Sequence, residues 1–163
     1  MRGSGLPGGL WWARLATTDD PIRGKAQQLT LSHPDGWITQ IRLYSNDPFV
    51  RIQTLASNRG REPVTLPKAQ LFDLQYDLGI ATQDIRSLGT GGLGGADAEG
   101  SYTFAAVADP STRRGVVCGW LTHQQGVGVF FPKVTDDRNL IGAQVDLGQY
   151  RIAPGQKRPI ETM

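Results

Sequence analysis

Gln28-Leu29-Thr30-Leu31-Ser32, the tetrad His33-Pro34-Asp35-Gly36, and Trp37-Ile38-Thr39-Gln40-Ile41-Arg42-Leu43-Tyr44 together decide the fold class. Polar and apolar residues alternate with period two on both sides of the tetrad, as they do when a strand buries one face. Pro34 and Gly36 supply the reversal between them. Ile41 and Leu43 fall on the same face as Trp37, so one side of the second strand is apolar.

The pattern continues outward. Asn46-Asp47-Pro48 breaks the second strand, and Phe49-Val50-Arg51-Ile52-Gln53-Thr54-Leu55 reads as a third. Ser57-Asn58-Arg59-Gly60-Arg61-Glu62-Pro63 reads as a hairpin connection, because Asn and Gly tolerate positive φ and Pro restarts the chain extended. Phe72 to Asp77 alternates again. Further strands are expected over Tyr102–Ala108, Gly115–Thr122 and Val127–Phe131, with a last pair over Gln144–Leu147 and Tyr150–Ile152. Short strands at regular spacing, separated by turn residues, predict an all-β, antiparallel β-sandwich. Residues 1–153 read as that sandwich, and 154–163, opening Pro154-Gly155-Gln156, as the start of a linker to a missing C-terminal domain.

Composition narrows the function classes. The chain has 163 residues, 39% of them hydrophobic, enough for one well-packed domain. Seventeen basic and fifteen acidic residues leave +2. Arg51, Arg59 and Arg61 are the densest basic group and read as solvated turn and edge residues, so no nucleic-acid partner is expected. No segment approaches the roughly 20 apolar residues of a membrane helix. The expectation is a soluble protein without a membrane partner, its compartment, cytoplasmic or periplasmic, left open.

Chemistry-bearing motifs are sparse. The lone Cys118 sits in Val116-Val117-Cys118-Gly119-Trp120 and reads as a small hydrophobe. His33 and His123 are far apart, with no carboxylate at ligand spacing, so neither a metal nor a cofactor is expected. Gly89-Thr90-Gly91-Gly92-Leu93-Gly94-Gly95 lacks the Lys-Ser/Thr ending and the following helix of a phosphate loop, and reads as a loop at the sandwich rim. Glu62, Glu99, Asp109, Asp136 and Asp137 each sit in turn contexts and form no catalytic pair. Four tryptophans remain. Trp37, Trp120 and Trp11 are candidates for stacking on a sugar ring, against the competing reading that they fill the core, and His123 is a fourth carbohydrate-contact candidate.

One stretch carries a resemblance. Gly100-Ser101-Tyr102-Thr103-Phe104-Ala105-Ala106-Val107-Ala108-Asp109-Pro110, followed by Arg114-Gly115-Val116-Val117-Cys118-Gly119-Trp120-Leu121-Thr122-His123, resembles the N-terminal β-supersandwich domain of melibiase-type α-galactosidase-like glycoside hydrolases. The ending Gln149-Tyr150-Arg151-Ile152-Ala153-Pro154-Gly155-Gln156 resembles it too. The likeness covers roughly residues 89 to 162, and more loosely Trp37 to Leu66. It implies a galactose-mutarotase-like supersandwich that is a non-catalytic accessory domain, a fragment of a longer hydrolase. Such a domain packs in cis on a (β/α)8 catalytic barrel that carries both catalytic aspartates, shapes a galactoside pocket and sometimes mediates homo-oligomers. No catalytic residue carries over to this chain. The alternatives are an autonomous carbohydrate-binding module and a mutarotase-like enzyme, for which Glu99 and His123 would have to serve as base and acid.

Overall fold

The computed structural model describes residues 12–90, 92–94, 100–134 and 139–163. It is all-β and antiparallel, a sandwich-like arrangement not closed into a barrel. The strands are β1 (Trp12–Asp20), β2 (Gly24–Ser32), β3 (Trp37–Tyr44), β4 (Val50–Ser57), β5 (Val64–Tyr76), β6 (Arg86–Gly89), β7 (Gly92–Gly94), β8 (Phe104–Ala108), β9 (Gly115–Gly119), β10 (Val127–Val134), β11 (Asn139–Ile152) and β12 (Lys157–Thr162). One turn of 3-10 helix, Thr82–Asp84, precedes β6. Among the described residues no helix is long and apolar enough to cross a membrane.

The strands form three sheets, in the orders β1-β2-β3-β4-β12, β10-β11-β5 and β7-β6-β8-β9. An isolated bridge pairs Ser101, in the segment leading into β8, with Phe130 of β10. All three sheets contribute to one core. Trp37, Ala56 and Ile160 come from the five-stranded sheet, Leu66, Phe130, Ile141 and Val145 from the three-stranded sheet, and Ala105 and Val107 from the four-stranded sheet. In β3, Trp37 pairs with Ala56 and Ile41 with Ile52 on one face, as expected, but Leu43 on that face is exposed while Ile38 and Tyr44 on the other face are buried.

Prolines inside strands mark sheet edges, where a missing N–H costs no ladder bond. Pro67 lies in β5, Pro132 in β10 and Pro159 in β12, each an outer strand of its sheet. Pro67 also faces a bulge: Lys68 pairs with Asp146 and Leu66 with Tyr150, leaving Leu147, Gly148 and Gln149 opposite one residue. Gly148 takes φ +64 there, a conformation that suits glycine.

The elements themselves differ from the sequence reading in four places. Gln144–Leu147 and Tyr150–Ile152 are one strand, β11, interrupted only by this bulge. The glycine-rich stretch supplies a short hairpin, Leu88 pairing with Leu93 and Gly89 with Gly92. β1 carries no clean alternation, yet it pairs with β2 along its full length. Finally, residues 157–162 are not linker. β12 pairs with β4, and beyond a bulge Met163 exchanges backbone hydrogen bonds of 2.7 and 2.9 Å with Ile52. Ile160, Glu161, Thr162 and Met163 are all buried.

Candidate carbohydrate surface

Two of the four carbohydrate-contact candidates are core residues. Trp37 is 4% exposed and Trp120 8% exposed, so neither presents a ring face to a ligand. Trp120 stacks on Phe130 at 4.7 Å between ring centroids, and its indole lies directly over the backbone of Gly128, where any Cβ would collide with the ring. Trp11, with Glu99, Asp136 and Asp137, lies outside the described residues. His123 is exposed, in the loop between β9 and β10.

That loop is held at several points. Leu121 and Thr122 donate backbone N–H groups to Thr162 O, and Trp120 N donates to Thr103 O at 3.0 Å. Glu161 is 2% exposed, and its carboxylate accepts from the Thr122 hydroxyl, Gln125 N at 2.6 Å and Gly126 N. A buried carboxylate is stable only when so satisfied. Gly126 is required because a side chain there would run into the backbone of Asp146. Trp120 and Thr122 thus serve the fold, while Leu121, His123 and Gln124 are exposed.

Asp109 and Glu62 lie in connections between strands, as read from the sequence, and Cys118 lies within β9. Asp109 is buried and accepts from Ser111 N at 2.9 Å, Ser111 Oγ at 2.7 Å and Thr112 Oγ1. The Thr112 and Ser111 hydroxyls stabilise its ionised form and hold its pKa at about 2. Burial pushes the Cys118 thiol up to about 11, so it is a poor nucleophile. Asp20 organises the β1–β2 turn, accepting from Ile22 N, Arg23 N, Tyr44 Oη at 2.8 Å and Arg51 Nη1. The Ile22 N–H and the Tyr44 hydroxyl keep its pKa below the ordinary value. Among the described residues no three His, Cys, Asp or Glu side chains cluster as metal ligands would.

A concave surface lies on the outer face of the β10-β11-β5 sheet. Phe131 pairs with Gly142, and Gly142 with Asp73. An aromatic ring and a carboxylate therefore stand on one row, two strand spacings or about 10 Å apart, with no side chain between them. A Cβ on Gly142 would come within 2.8 Å of Asp73 Oδ1, so glycine keeps the trough open. Gln144 and Gln70 pair on the neighbouring row, and Lys133 and Leu140 on the other side. Gln70 Nε2 donates to Asp73 Oδ1 at 2.9 Å, and Gln144 Nε2 to Asp146 Oδ1 at 3.0 Å. Gly100 lies against Val129 and Phe131 so closely that a Cβ would sit 2.9 Å from the Phe131 ring. That contact holds one side of the ring. The hollow, about 280 Å³, is lined by Gln70, Asp73, Phe131, Lys133, Leu140 and Gln144 over the Gly142 backbone.

Sequence reasoning missed this surface. It weighed tryptophans, whereas the ring at this trough is the half-buried Phe131, and the partners Asp73 and Gly142 meet it only through strand register. Compared with known proteins, the chain matches no family model and no curated sequence.

Proposed function

We propose that this chain is a non-catalytic, carbohydrate-binding accessory domain of an α-galactosidase-like glycoside hydrolase, working beside a (β/α)8 catalytic domain in cis. The trough across Phe131, Gly142 and Asp73 is the observation that supports it. A pyranose offers one apolar face of C–H groups and a rim of hydroxyls. The trough offers an aromatic face, with amide and carboxylate groups around it that accept from and donate to hydroxyls. Its floor is flat backbone, and its width suits one or two sugar rings. An open groove with one aromatic platform binds weakly, at about millimolar strength.

The test is an amide-resolved NMR titration of the whole chain with galactose and raffinose. Signals of Gln70, Asp73, Phe131, Gly142 and Gln144 should shift together. Phe131→Ala should weaken binding at least about tenfold, and Gly142→Leu, which fills the trough, should abolish it. An autonomous carbohydrate-binding module would use the same trough. The two readings part on whether the chain binds a separately prepared catalytic barrel of the hydrolase, which only the accessory reading expects. Release of nitrophenol from a nitrophenyl galactoside by the pure chain would overturn both.

A further inference from the structure

A second hollow, about 400 Å³, opens where the β2–β3 turn meets the β4–β5 connection, lined by Pro34–Gly36, Ser57–Glu62 and Val64. Its walls are braced. Ser57 N donates to Gly36 O at 2.9 Å, tying one turn to the other, and Asn58 N donates to Gln156 O at 2.9 Å. Asn58 is 3% exposed; its Nδ2 donates to Glu62 O at 2.7 Å and Ile152 O at 3.0 Å, while its Oδ1 accepts from Gly60 N. The loop is therefore shaped by a buried amide, and Gly36 holds φ +92 to complete the facing turn.

The bracing spends backbone groups and leaves charged ends at the mouth. Arg61 is exposed and makes no ion pair or hydrogen bond among the described residues. The Glu62 side chain is likewise exposed beside it. A guanidinium is a planar fork of donors that matches a carboxylate two-to-two. Arg59 and Asp35, also in the lining, are engaged with other groups, which leaves Arg61 and Glu62 as the charges offered to a ligand. The Glu62 carboxylate accepts from hydroxyls but repels a second negative charge. The combination favours a ligand with one negative charge and several hydroxyls over a dianion such as phosphate.

We infer that this hollow is a second binding site, for the carboxylate and hydroxyls of a sugar acid such as a hexuronate. It is separate from the trough on the sheet face and rests on different residues. The test is an NMR titration of the whole chain with galacturonate, with acetate, inorganic phosphate and galactose as controls. Galacturonate should shift the amide signals of residues 34–36 and 57–62, and galactose should not. Arg61→Gln should weaken galacturonate at least about tenfold without changing the remaining spectrum, and Glu62→Gln should weaken it less. Acetate should bind at least about tenfold more weakly than galacturonate. The inference is overturned if galacturonate leaves these signals in place, if acetate or phosphate matches it, or if Arg61→Gln binds as the native chain does. Failure here leaves galactose binding at Phe131 as it stands, so the two readings fall separately.

Discussion

The loop between β9 and β10 and the β1–β2 hairpin are built on opposite principles. The loop is short of regular structure but fastened everywhere: Trp120 packs on Phe130 and Gly128, and Glu161 collects a hydroxyl and two backbone N–H groups. The hairpin is regular, nine paired residues long, yet largely bare. Leu15 is 67% exposed and Ile22 91% exposed. Its β2 strand pairs with β3 from Ala26 to Ser32, and its buried side-chain fastening lies at the turn, where Asp20 holds the turn, Tyr44 and Arg51. Secondary structure alone therefore does not report where stability lies; burial and satisfied polar groups do.

That contrast can be broken by mutation. Trp120→Ala removes a core ring and its stack, and should cost about 3–5 kcal/mol in urea unfolding. A cost below about 1 kcal/mol would mean that the loop is not part of the core. Glu161→Ala leaves Gln125 N and Gly126 N without their acceptor and should cost about 1–3 kcal/mol. Hydrogen exchange at those two amides should quicken in this variant while β1 and β2 are unchanged. Leu15→Ala, on the hairpin, should stay within about 0.5 kcal/mol of the native chain. A large loss there would show that β1 is covered in solution.

Acid sharpens the contrast further. Asp109 has a folded pKa of about 2 against an ordinary 3.8. Its folded value is depressed, so its contribution is present at neutral pH and is lost as pH falls from about 4 towards 2. Asp109→Asn should lower stability at pH 7 and flatten this part of the acid limb, which unfolding curves between pH 2 and 7 would reveal. An unchanged acid limb would contradict the hydroxyl cage around Asp109. At the small end of the scale, Cys118 should resist thiol reagents at pH 8 in the folded chain, since burial raises its pKa to about 11.

The fold was legible where one face of a strand is buried. The alternation from Trp37 to Tyr44 marks β3 at both ends, and its Trp37 and Ile41 meet Ala56 and Ile52 of β4. It was not legible in β1, whose residues bury little and so need no alternation. Nor was it legible at 157–162, where Pro154-Gly155 reads as an exit from the domain but serves as the turn into another strand. The trough lay further from reach. Asp73, Phe131 and Gly142 are ordinary residues in the chain, and their juxtaposition depends on the β5–β11–β10 register, itself shifted by bulges between Ala143 and Gln144 and beyond Asp146. Tryptophans drew attention as sugar platforms, but Trp37 and Trp120 are among the groups the core most needs.

The central claim is that a sugar binds across the β10-β11-β5 face, and the most direct measurement is the galactoside titration followed amide by amide. The account predicts shifts confined to the strands that carry Gln70, Asp73, Phe131, Gly142 and Gln144, lost in Gly142→Leu. A titration to high concentration that leaves those signals unmoved, or moves instead only the loop around His123, would contradict it.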